Sequence, residues 1–339
     1  MADVTAGAGA SGAGARDRAQ LLLVAGLVMA VTLVVLALTL NTVIYTENLA
    51  TRSSDIAGGD DSVRFLDATE GGVAGVLDHA NRNHNGSHAA VRANVSADIE
   101  TWRNLTGRSY AVNGVATNLS GVTITNGSRL HQANGSRTFT DANGNSTWTL
   151  ASGVSGTRQF RLNVTNDSLA TATHATVDAT SSVFYVEFND QSSSRWRLFV
   201  YRNLTTRTVN VTAVDGLLGT RRGPCSARDD QVFVNVTAGT VGGEPCSALS
   251  FVSDLQAPYT VTYNDTELTL GNPTVNGTYH LIVDDESVAR SPGPAFNDAP
   301  GNSPWADAAV YAVSYDAIYE TARLRYNASV RVAPDESDG

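Results

Sequence analysis

The sequence predicts an α+β protein: an N-terminal transmembrane helix and short helical base, followed by a mainly antiparallel, sandwich-like β-rich extracellular domain. Three observations support this prediction. Residues 19–46 carry no charge, and their most apolar part, residues 21–40, would span about 30 Å as a helix, the thickness of a bilayer's hydrocarbon core. Helical apolar spacing follows between residues 61 and 105. From Tyr110 onward, short alternating runs are separated by Gly, Asn and Ser, a pattern typical of antiparallel strands.

The charges beside the apolar segment predict its orientation. Residues 1–18 are rich in Ala, Gly and Ser and include Arg16 and Arg18 at their end, so we interpret them as a disordered cytoplasmic or leader segment. Because positive charge favours the cytoplasmic side, residues 19–46 are predicted to cross the cell membrane once, with the C-terminal domain outside. A cleaved secretory signal is the alternative, but its apolar region would run only about 7–15 residues.

Two helices are predicted in the base, residues 47–106. The first is capped by Asp61 or Ser62, and its apolar residues keep helical spacing although three glycines weaken it. The second helix runs from His88 to about Leu105 and presents one apolar face. The residues of that face are Val91, Val95, Ile99 and Trp102.

The β-rich domain is predicted over residues 107–334, and an acidic, loose tail over residues 335–339. The clearest strand is 323–332, where apolar and polar residues alternate. Residues 311–319 alternate as well, although a helix through residues 305–312 is an alternative. The other candidate strands are Val122–Thr125, Thr147–Ala151, Gln159–Thr165, Val183–Phe188, Trp196–Tyr201, Val209–Val214, Val232–Thr237, Tyr259–Tyr263, Leu268–Leu270 and Tyr279–Val283.

The composition indicates a halophilic source and limits the choice of partners. The chain has 23 Lys plus Arg against 33 Asp plus Glu, a net charge of −10, and every one of the cations is an arginine. Carboxylates hold water in concentrated salt, where screening shortens the range of their repulsion. We therefore interpret the protein as one of a halophilic archaeon, with a GC-rich genome as the alternative explanation. The absence of a basic patch argues against a nucleic-acid partner.

The two cysteines predict a disulfide. Cys225 and Cys246 both stand in a Pro-Cys-Ser-Ala context, and such a pair outside the membrane is typical of one disulfide that closes a loop. Two thiols with no histidine nearby make a poor zinc site, since zinc needs four ligands.

Asn-x-Ser/Thr sequons are the signal that rises furthest above background. The chain contains fifteen of them, whereas its 25 Asn residues would produce about five by chance. All of them follow the apolar segment, on the side where N-glycosylation acts. The candidate acceptors are Asn85, Asn94, Asn104, Asn118, Asn126, Asn134, Asn145, Asn163, Asn166, Asn203, Asn210, Asn235, Asn264, Asn276 and Asn327. We expect several to be modified, although Thr-rich strands also produce such triplets incidentally.

Sequence motifs for catalysis or cofactor binding are absent. No phosphate loop, dinucleotide fingerprint, His-Glu-x-x-His or Gly-x-Ser-x-Gly occurs. His84 and His88 would share a face if their tract were helical, and Asp141-Ala-Asn143 resembles the start of a calcium loop, but solvated side chains and a polar turn are the favoured interpretations. We therefore expect no catalytic residues, no metal site, no cofactor and no identifiable small-molecule ligand.

The segment Arg16–Ala25, followed by Asn41–Asn48, resembles the N-terminus of haloarchaeal pilin-like and secretion-associated single-pass membrane surface proteins. In archaeal type IV pilins a leader peptidase cuts after a basic and a small residue, and the resemblance implies cleavage between Ala19 and Gln20. Val24 departs from the bacterial-type pattern, which has Glu at that place. The resemblance covers about thirty residues.

Three functions follow as hypotheses. The first is a single-pass, glycosylated cell-surface protein with a structural, adhesive or interaction role. The second is a pilin-like, minor subunit whose apolar helix packs into a filament, and the third is an extracellular enzyme or solute-binding module. The expected partners are the lipid bilayer and either other copies of the chain or other surface or pilus components.

Overall fold

The computed structural model describes residues 29–30, 33, 59–83, 86–180, 182–190, 194–265, 275–290, 293–297 and 302–336. The chain divides into two compact units, Met1–Arg64 and Phe65–Gly339. The described residues of the first unit are all helical. None of the described helices is long and apolar enough to cross a bilayer. Most of the predicted anchor, residues 19–46, lies outside the described residues.

In the described part of the chain from residue 59 onward, two helices precede the sheets. Helix α1 includes residues 59–83, and α2 is His88–Ala111, with the Ser87 side chain accepting a hydrogen bond from the Ala90 amide. The predicted cap of α1 at Asp61 or Ser62 is wrong, because both residues already lie inside the helix. Helix α2 also continues past its predicted end near Leu105.

The rest of the second unit is a sandwich of two sheets, as the sequence predicts. Among the described residues, one sheet has eight strands in the order β11-β10-β9-β3-β13-β1-β14-β15, and the other has seven, in the order β2-β12-β5-β6-β7-β8 with β4 beside β6. The strands of the first sheet are β1 (Ala116–Gln132), β3 (Thr157–Thr165), β9 (Gln231–Asn235), β10 (Thr240–Val241), β11 (Glu244–Pro245), β13 (Gly277–Val283), β14 (Trp305–Glu320) and β15 (Arg325–Val332). The strands of the second sheet are β2 (Thr147–Val154), β4 (Thr171–Ala172), β5 (Tyr185–Asn189), β6 (Arg195–Asn203), β7 (Val209–Asp215), β8 (Arg221–Ala227) and β12 (Tyr259–Asn264). The described connections between them include three short helices: Asn166–Ser168, Ser247–Asp254 and α3 (Ser287–Arg290).

The first sheet is buried on both faces over part of its area. Alternate side chains of its strands meet those of the second sheet in the main core, for example Leu162 and Leu281 with Leu198 and Val261. The opposite face of β1, β14 and β15 packs against α1 and α2 in a second core. That second core includes Phe65, Val73, Leu77, Val91, Val95, Ile99, Leu119, Tyr315 and Tyr319. Residues 65–111 and the β-rich part therefore form one unit.

A glycine that seemed to weaken α1 has a packing role. A Cβ atom at Gly72 would overlap the indole of Trp102, which comes from α2. The absence of a side chain at this position therefore lets the two helices approach closely. The favourable packing of Trp102 offsets the poor helix propensity of glycine.

The structure differs from the prediction at several elements. The candidate strand Val122–Thr125 is part of the much longer β1, and residues 305–312 belong to β14, so the helical alternative there is wrong. Strand β8 was not predicted. Leu268–Leu270 lies outside the described residues.

The C-terminal tail is held in place as far as it is described, not loose as predicted. The Pro334 carbonyl accepts a hydrogen bond from Arg158 at 3.1 Å, and Asp335 pairs with Arg161 at 2.7 Å. Glu336 accepts a hydrogen bond from the Tyr311 hydroxyl at 2.6 Å. These contacts fix residues 334–336 against β3 and β14.

Candidate functional site

A group of polar side chains converges on Asp307, at the face of the first sheet that carries α1. The Asp307 cluster consists of Arg129 and His131 on β1 and of Trp305 and Asp307 on β14. The Asp307 Oδ2 accepts hydrogen bonds from Arg129 Nη2 at 2.6 Å, His131 Nε2 at 3.0 Å and Trp305 Nε1 at 2.9 Å. Because residues two apart on a strand share a face, each strand contributes both of its side chains to the same point.

Burial and charge determine the protonation of the Asp307 cluster. Burial lowers the pKa of His131 in spite of its hydrogen bond to Asp307. Burial lowers the pKa of the neighbouring His280 to about 3. Burial alone would raise the pKa of Asp307, but hydrogen bonds from His131 and Arg129 outweigh it and hold that pKa below its ordinary value. At neutral pH the cluster therefore contains a carboxylate at Asp307 and a neutral imidazole at His131, and the neighbouring His280 is neutral as well.

The geometry of the Asp307 cluster suits a structural tie better than catalysis. One oxygen of Asp307 accepts all three hydrogen bonds, and the His131 ring packs against Trp305 with centroids 3.6 Å apart and the ring planes tilted by 56°. Among the described residues, neither His131 nor His280 hydrogen-bonds to a hydroxyl or thiol that could serve as a nucleophile. The second nitrogen of Arg129 donates to the Asn81 carbonyl near the end of α1.

Asn81 joins α1 to the first sheet at an irregularity of β14. The pairing of β1 with β14 shifts register between Thr125 and Asn126, and Val310 is the partner of Asn126 at this shift. The Asn81 side chain donates to the Val310 carbonyl and accepts from the Val310 amide, both at 2.9 Å. The buried Arg158 also donates to that carbonyl, at 3.0 Å.

The residues considered for metal binding are separated. In the described part of the chain, no three His, Cys, Asp or Glu side chains lie close enough to hold a metal ion. His88 bonds to the Gly127 carbonyl at 2.8 Å, and His84 lies outside the described residues. Asp141 accepts hydrogen bonds from the amides of Asn143 and Asn145, so its carboxylate closes a polar turn in this loop.

The predicted disulfide between Cys225 and Cys246 is confirmed, with the two Cα atoms 5.6 Å apart. It links β8 to the residue that precedes the helix Ser247–Asp254. The bond borders an open groove of about 790 Å³, whose lining includes Val236, Leu249 and Ser250. Glu244 is the groove's single ionisable side chain among the described residues.

The structure divides the fifteen sequon asparagines by exposure. Exposed acceptors are Asn104, Asn118, Asn134, Asn145 and Asn327. Half-buried acceptors are Asn94, Asn126, Asn163, Asn166, Asn203, Asn235, Asn264 and Asn276. Asn210 is buried, with 4% of its surface exposed, and Asn85 lies outside the described residues. The proposed cleavage position, Ala19 and Gln20, also lies outside them.

Hydrogen bonds distinguish the exposed acceptors further, because glycosylation modifies the amide nitrogen. Asn104 Nδ2 donates to Glu100 at 3.1 Å, and Asn145 Nδ2 donates to Asp141 at 2.7 Å. In the described part of the chain, the amide nitrogens of Asn118, Asn134 and Asn327 make no hydrogen bond. Among the described residues, these three are the most accessible candidate acceptors.

Among the comparisons with known proteins, one family model matches part of the chain, and its description states no function. A family model described as "Family of unknown function (DUF7261)" matches residues 15–146, less than half of the chain. The matched part includes the apolar segment, both helices and β1, so the chain is similar to that family over its N-terminal region. No curated protein and no solved structure matches the chain.

The Asp307 cluster was missed at the level of sequence, although a signal for it exists. Arg129-Leu-His131 and Trp305-Ala-Asp307 both alternate polar and apolar residues, which predicts strands with two polar side chains on one face. The pairing of His131 with Trp305 and of Arg129 with Asp307 depends on the register of β1 against β14. One sequence does not contain that information.

Proposed function

We propose that the protein is a single-pass, membrane-anchored and N-glycosylated surface protein of a halophilic archaeon, with a structural, adhesive or interaction role. The anchor is the apolar segment, residues 19–46, and the outward part is the β-sandwich with its two helices. We propose no catalytic role. The lipid bilayer is the first partner, and neighbouring surface proteins or other copies of the chain are the second.

The observation that carries this proposal is the number and placement of the sequons. All fifteen follow the apolar segment, and five of their asparagines are exposed on the folded domain. The two arginines on the other side of the segment, Arg16 and Arg18, favour the same orientation. The disulfide between Cys225 and Cys246 also fits an oxidising exterior.

A pilin-like subunit is the second candidate. It is favoured by the junction Arg18-Ala19-Gln20 in front of the apolar segment. In that case the apolar helix would leave the bilayer and pack against other copies in a filament. The sandwich would then decorate the filament surface.

Protease treatment of intact cells tests the orientation. Peptides from residues 107–336 should be released while the membrane stays sealed, and enzymatic or chemical removal of glycans should lower the mass of the protein. Full protection of these residues in sealed cells, together with cleavage after lysis, would contradict the proposal.

N-terminal sequencing of the mature protein decides between the two candidates. A start at Gln20 in a sheared-filament fraction supports the pilin-like subunit. An intact N-terminus confined to the membrane fraction supports the anchored surface protein and refutes the filament.

A further inference from the structure

Two of the three most accessible acceptors stand in register on either side of one strand. Strand β14 pairs with both β1 and β15 in antiparallel fashion, and Ile318 is the partner of both Asn118 and Asn327. Two residues along, Asp316 is the partner of both Ser120 and Ser329. The sequons Asn118-Leu-Ser120 and Asn327-Ala-Ser329 therefore run parallel to each other, aligned residue by residue.

This alignment places both acceptors on one face. Directly paired residues of neighbouring strands point to the same side of a sheet, and residues two apart on a strand do so as well. Each asparagine thus has its sequon serine beside it on that face. Since neighbouring strands lie about 4.8 Å apart, the two asparagines are separated by roughly 10 Å.

The shared face is open to solvent. We call this part of the first sheet the three-strand extension: residues 116–125 of β1, 312–320 of β14, and β15. Its other face packs under the helices through Leu119 and Tyr319, both almost fully buried. On the open face Asn118 and Asn327 are exposed. Between them lies Ile318, which is half-buried.

The extension also has free edges. Among the described residues β15 pairs with β14 alone, and β13 covers β1 only from Ser128 to Gln132. Strand β15 pairs over eight residues without a bulge and contains no proline. Natural proteins usually protect such an edge, because its unpaired peptide groups can add a strand from another molecule. Arg325 and Arg331 are the charged side chains of β15.

We propose that Asn118 and Asn327 are both N-glycosylated, and that the two glycans together cover the open face and keep the β15 edge from pairing with a second copy of the chain. This inference rests on the outward location proposed above. Of the fifteen candidate acceptors, these two would together shield the open face and the β15 edge.

The chemistry requires a lipid-linked oligosaccharide phosphate as donor. The bond between the anomeric carbon of the first sugar and the lipid phosphate oxygen breaks, and a bond forms from that carbon to Asn Nδ2. The lipid phosphate leaves with the electron pair of the broken bond, and the amide nitrogen gives up one proton to the solvent. No oxidation or reduction takes place. The hydroxyl of the serine two residues on is part of the acceptor signal, and Ser120 and Ser329 lie on the same face as their asparagines.

Glycopeptide mapping of the full-length protein from its native membrane tests the two sites. Asn327→Gln and Ser329→Ala each destroy the sequon, the first by replacing the acceptor and the second by replacing the serine two residues on. Ser329→Thr is the matched control, because it keeps the sequon. Asn118→Gln, Ser120→Ala and Ser120→Thr form the same set for the other site. We expect the Gln and Ala variants each to lose one glycan mass and the Thr variants to keep it.

Size-exclusion chromatography with light scattering of the detergent-solubilised protein tests the purpose. The double variant Asn118→Gln/Asn327→Gln should shift towards dimers or larger species at concentrations where the Ser120→Thr/Ser329→Thr protein stays unchanged. Asn134→Gln, which lies in a turn outside the extension, should leave the profile unchanged.

The outcomes separate this inference from the proposed function. Glycans found at other sequons but not at Asn118 and Asn327 would overturn the inference and leave the surface glycoprotein standing. A protein without any glycan would overturn both. Occupied sites with an unchanged profile of the double variant would overturn the shielding role.

Discussion

The contact between Asn81 and Val310 leads to a quantitative prediction for Asn81→Ala. The Asn81 side chain is 3% exposed and makes two hydrogen bonds to the Val310 peptide groups. Each is worth about 1 kcal/mol, and a buried amide left without a partner costs about 1–3 kcal/mol more. The Val310 carbonyl keeps its bond from Arg158, so only the amide is orphaned. Alanine regains roughly 0.5 kcal/mol through its helix propensity.

The net expectation is a loss of about 2.5–4.5 kcal/mol in the free energy of unfolding. For a domain of this size, that loss lowers Tm by roughly 5–15 °C. Urea unfolding and differential scanning calorimetry measure the two quantities. Hydrogen exchange gives a local readout, because the Val310 amide should exchange faster than its neighbours on β14.

Asn83→Ala is the matched control for Asn81→Ala. Asn83 lies two residues further along the same helix and is exposed, and among the described residues its side chain bonds to the exposed His79 alone. Its substitution should change stability by about 0.5 kcal/mol or less. If Asn81→Ala and Asn83→Ala unfolded at the same urea concentration, the tie between α1 and β14 would carry no energy and the reasoning would fail.

Three further predictions concern the disulfide, the buried histidine and the C-terminal tail. The double variant Cys225→Ser/Cys246→Ser should lose about 3 kcal/mol of stability in urea unfolding, because the bond closes a loop with a sequence separation of 21; a reductant should reproduce the loss in the native protein and leave the variant unchanged. Burial lowers the pKa of His280 to about 3 from its ordinary 6.5, so the unfolded chain binds a proton that the folded chain refuses, and stability should fall as the pH drops from 6.5 towards 3. His280→Asn should flatten that slope in urea titrations, and a variant that keeps the full slope would contradict the assignment. Glu336→Gln weakens the contact with Tyr311 and should cost about 1–2 kcal/mol; an unchanged urea midpoint would mean that the tail is not held.

The sandwich was predictable because alternation of apolar and polar residues reports which strand face is buried. The candidate strands at 159–165 and 209–214 coincide with β3 and β7 to within two residues. Strand β8 was missed because it contains the Gly223-Pro224 pair, and both residue types are depleted in strands. The length of β1 was missed because glycines at 121 and 127 interrupt the pattern; Gly121 has φ +62 at an irregularity of the pairing.

The tail shows the limit of composition as a guide. The segment 334–336 is short and partly acidic, and both features suggest a solvated chain end. In the folded protein they meet Arg158 and Arg161, which β3 supplies from a distant part of the sequence. A long-range partner of this kind cannot be found from the tail alone.

The Asp307 cluster was not predicted, whereas the sequons and the disulfide were predictable from local signals but not in their spatial arrangement. The sequence identifies Asn118 and Asn327 as candidate acceptors, since a sequon is a local signal of three residues. It also determines the disulfide pairing, because there are only two cysteines.

Only the tertiary structure decided which of these local signals meet. The sequons at Asn118 and Asn327 lie about two hundred residues apart in the chain, and β14 brings them into one row. The polar groups of Arg129, His131 and Asp307 meet in the same way. The physical reason is that strand order and register depend on the packing of whole faces, so a shift of one residue would reverse every side chain. The local spacing of residues determines which side chains each strand places on each face. The assembled sheet determines which strands pair, and therefore which of these side chains meet.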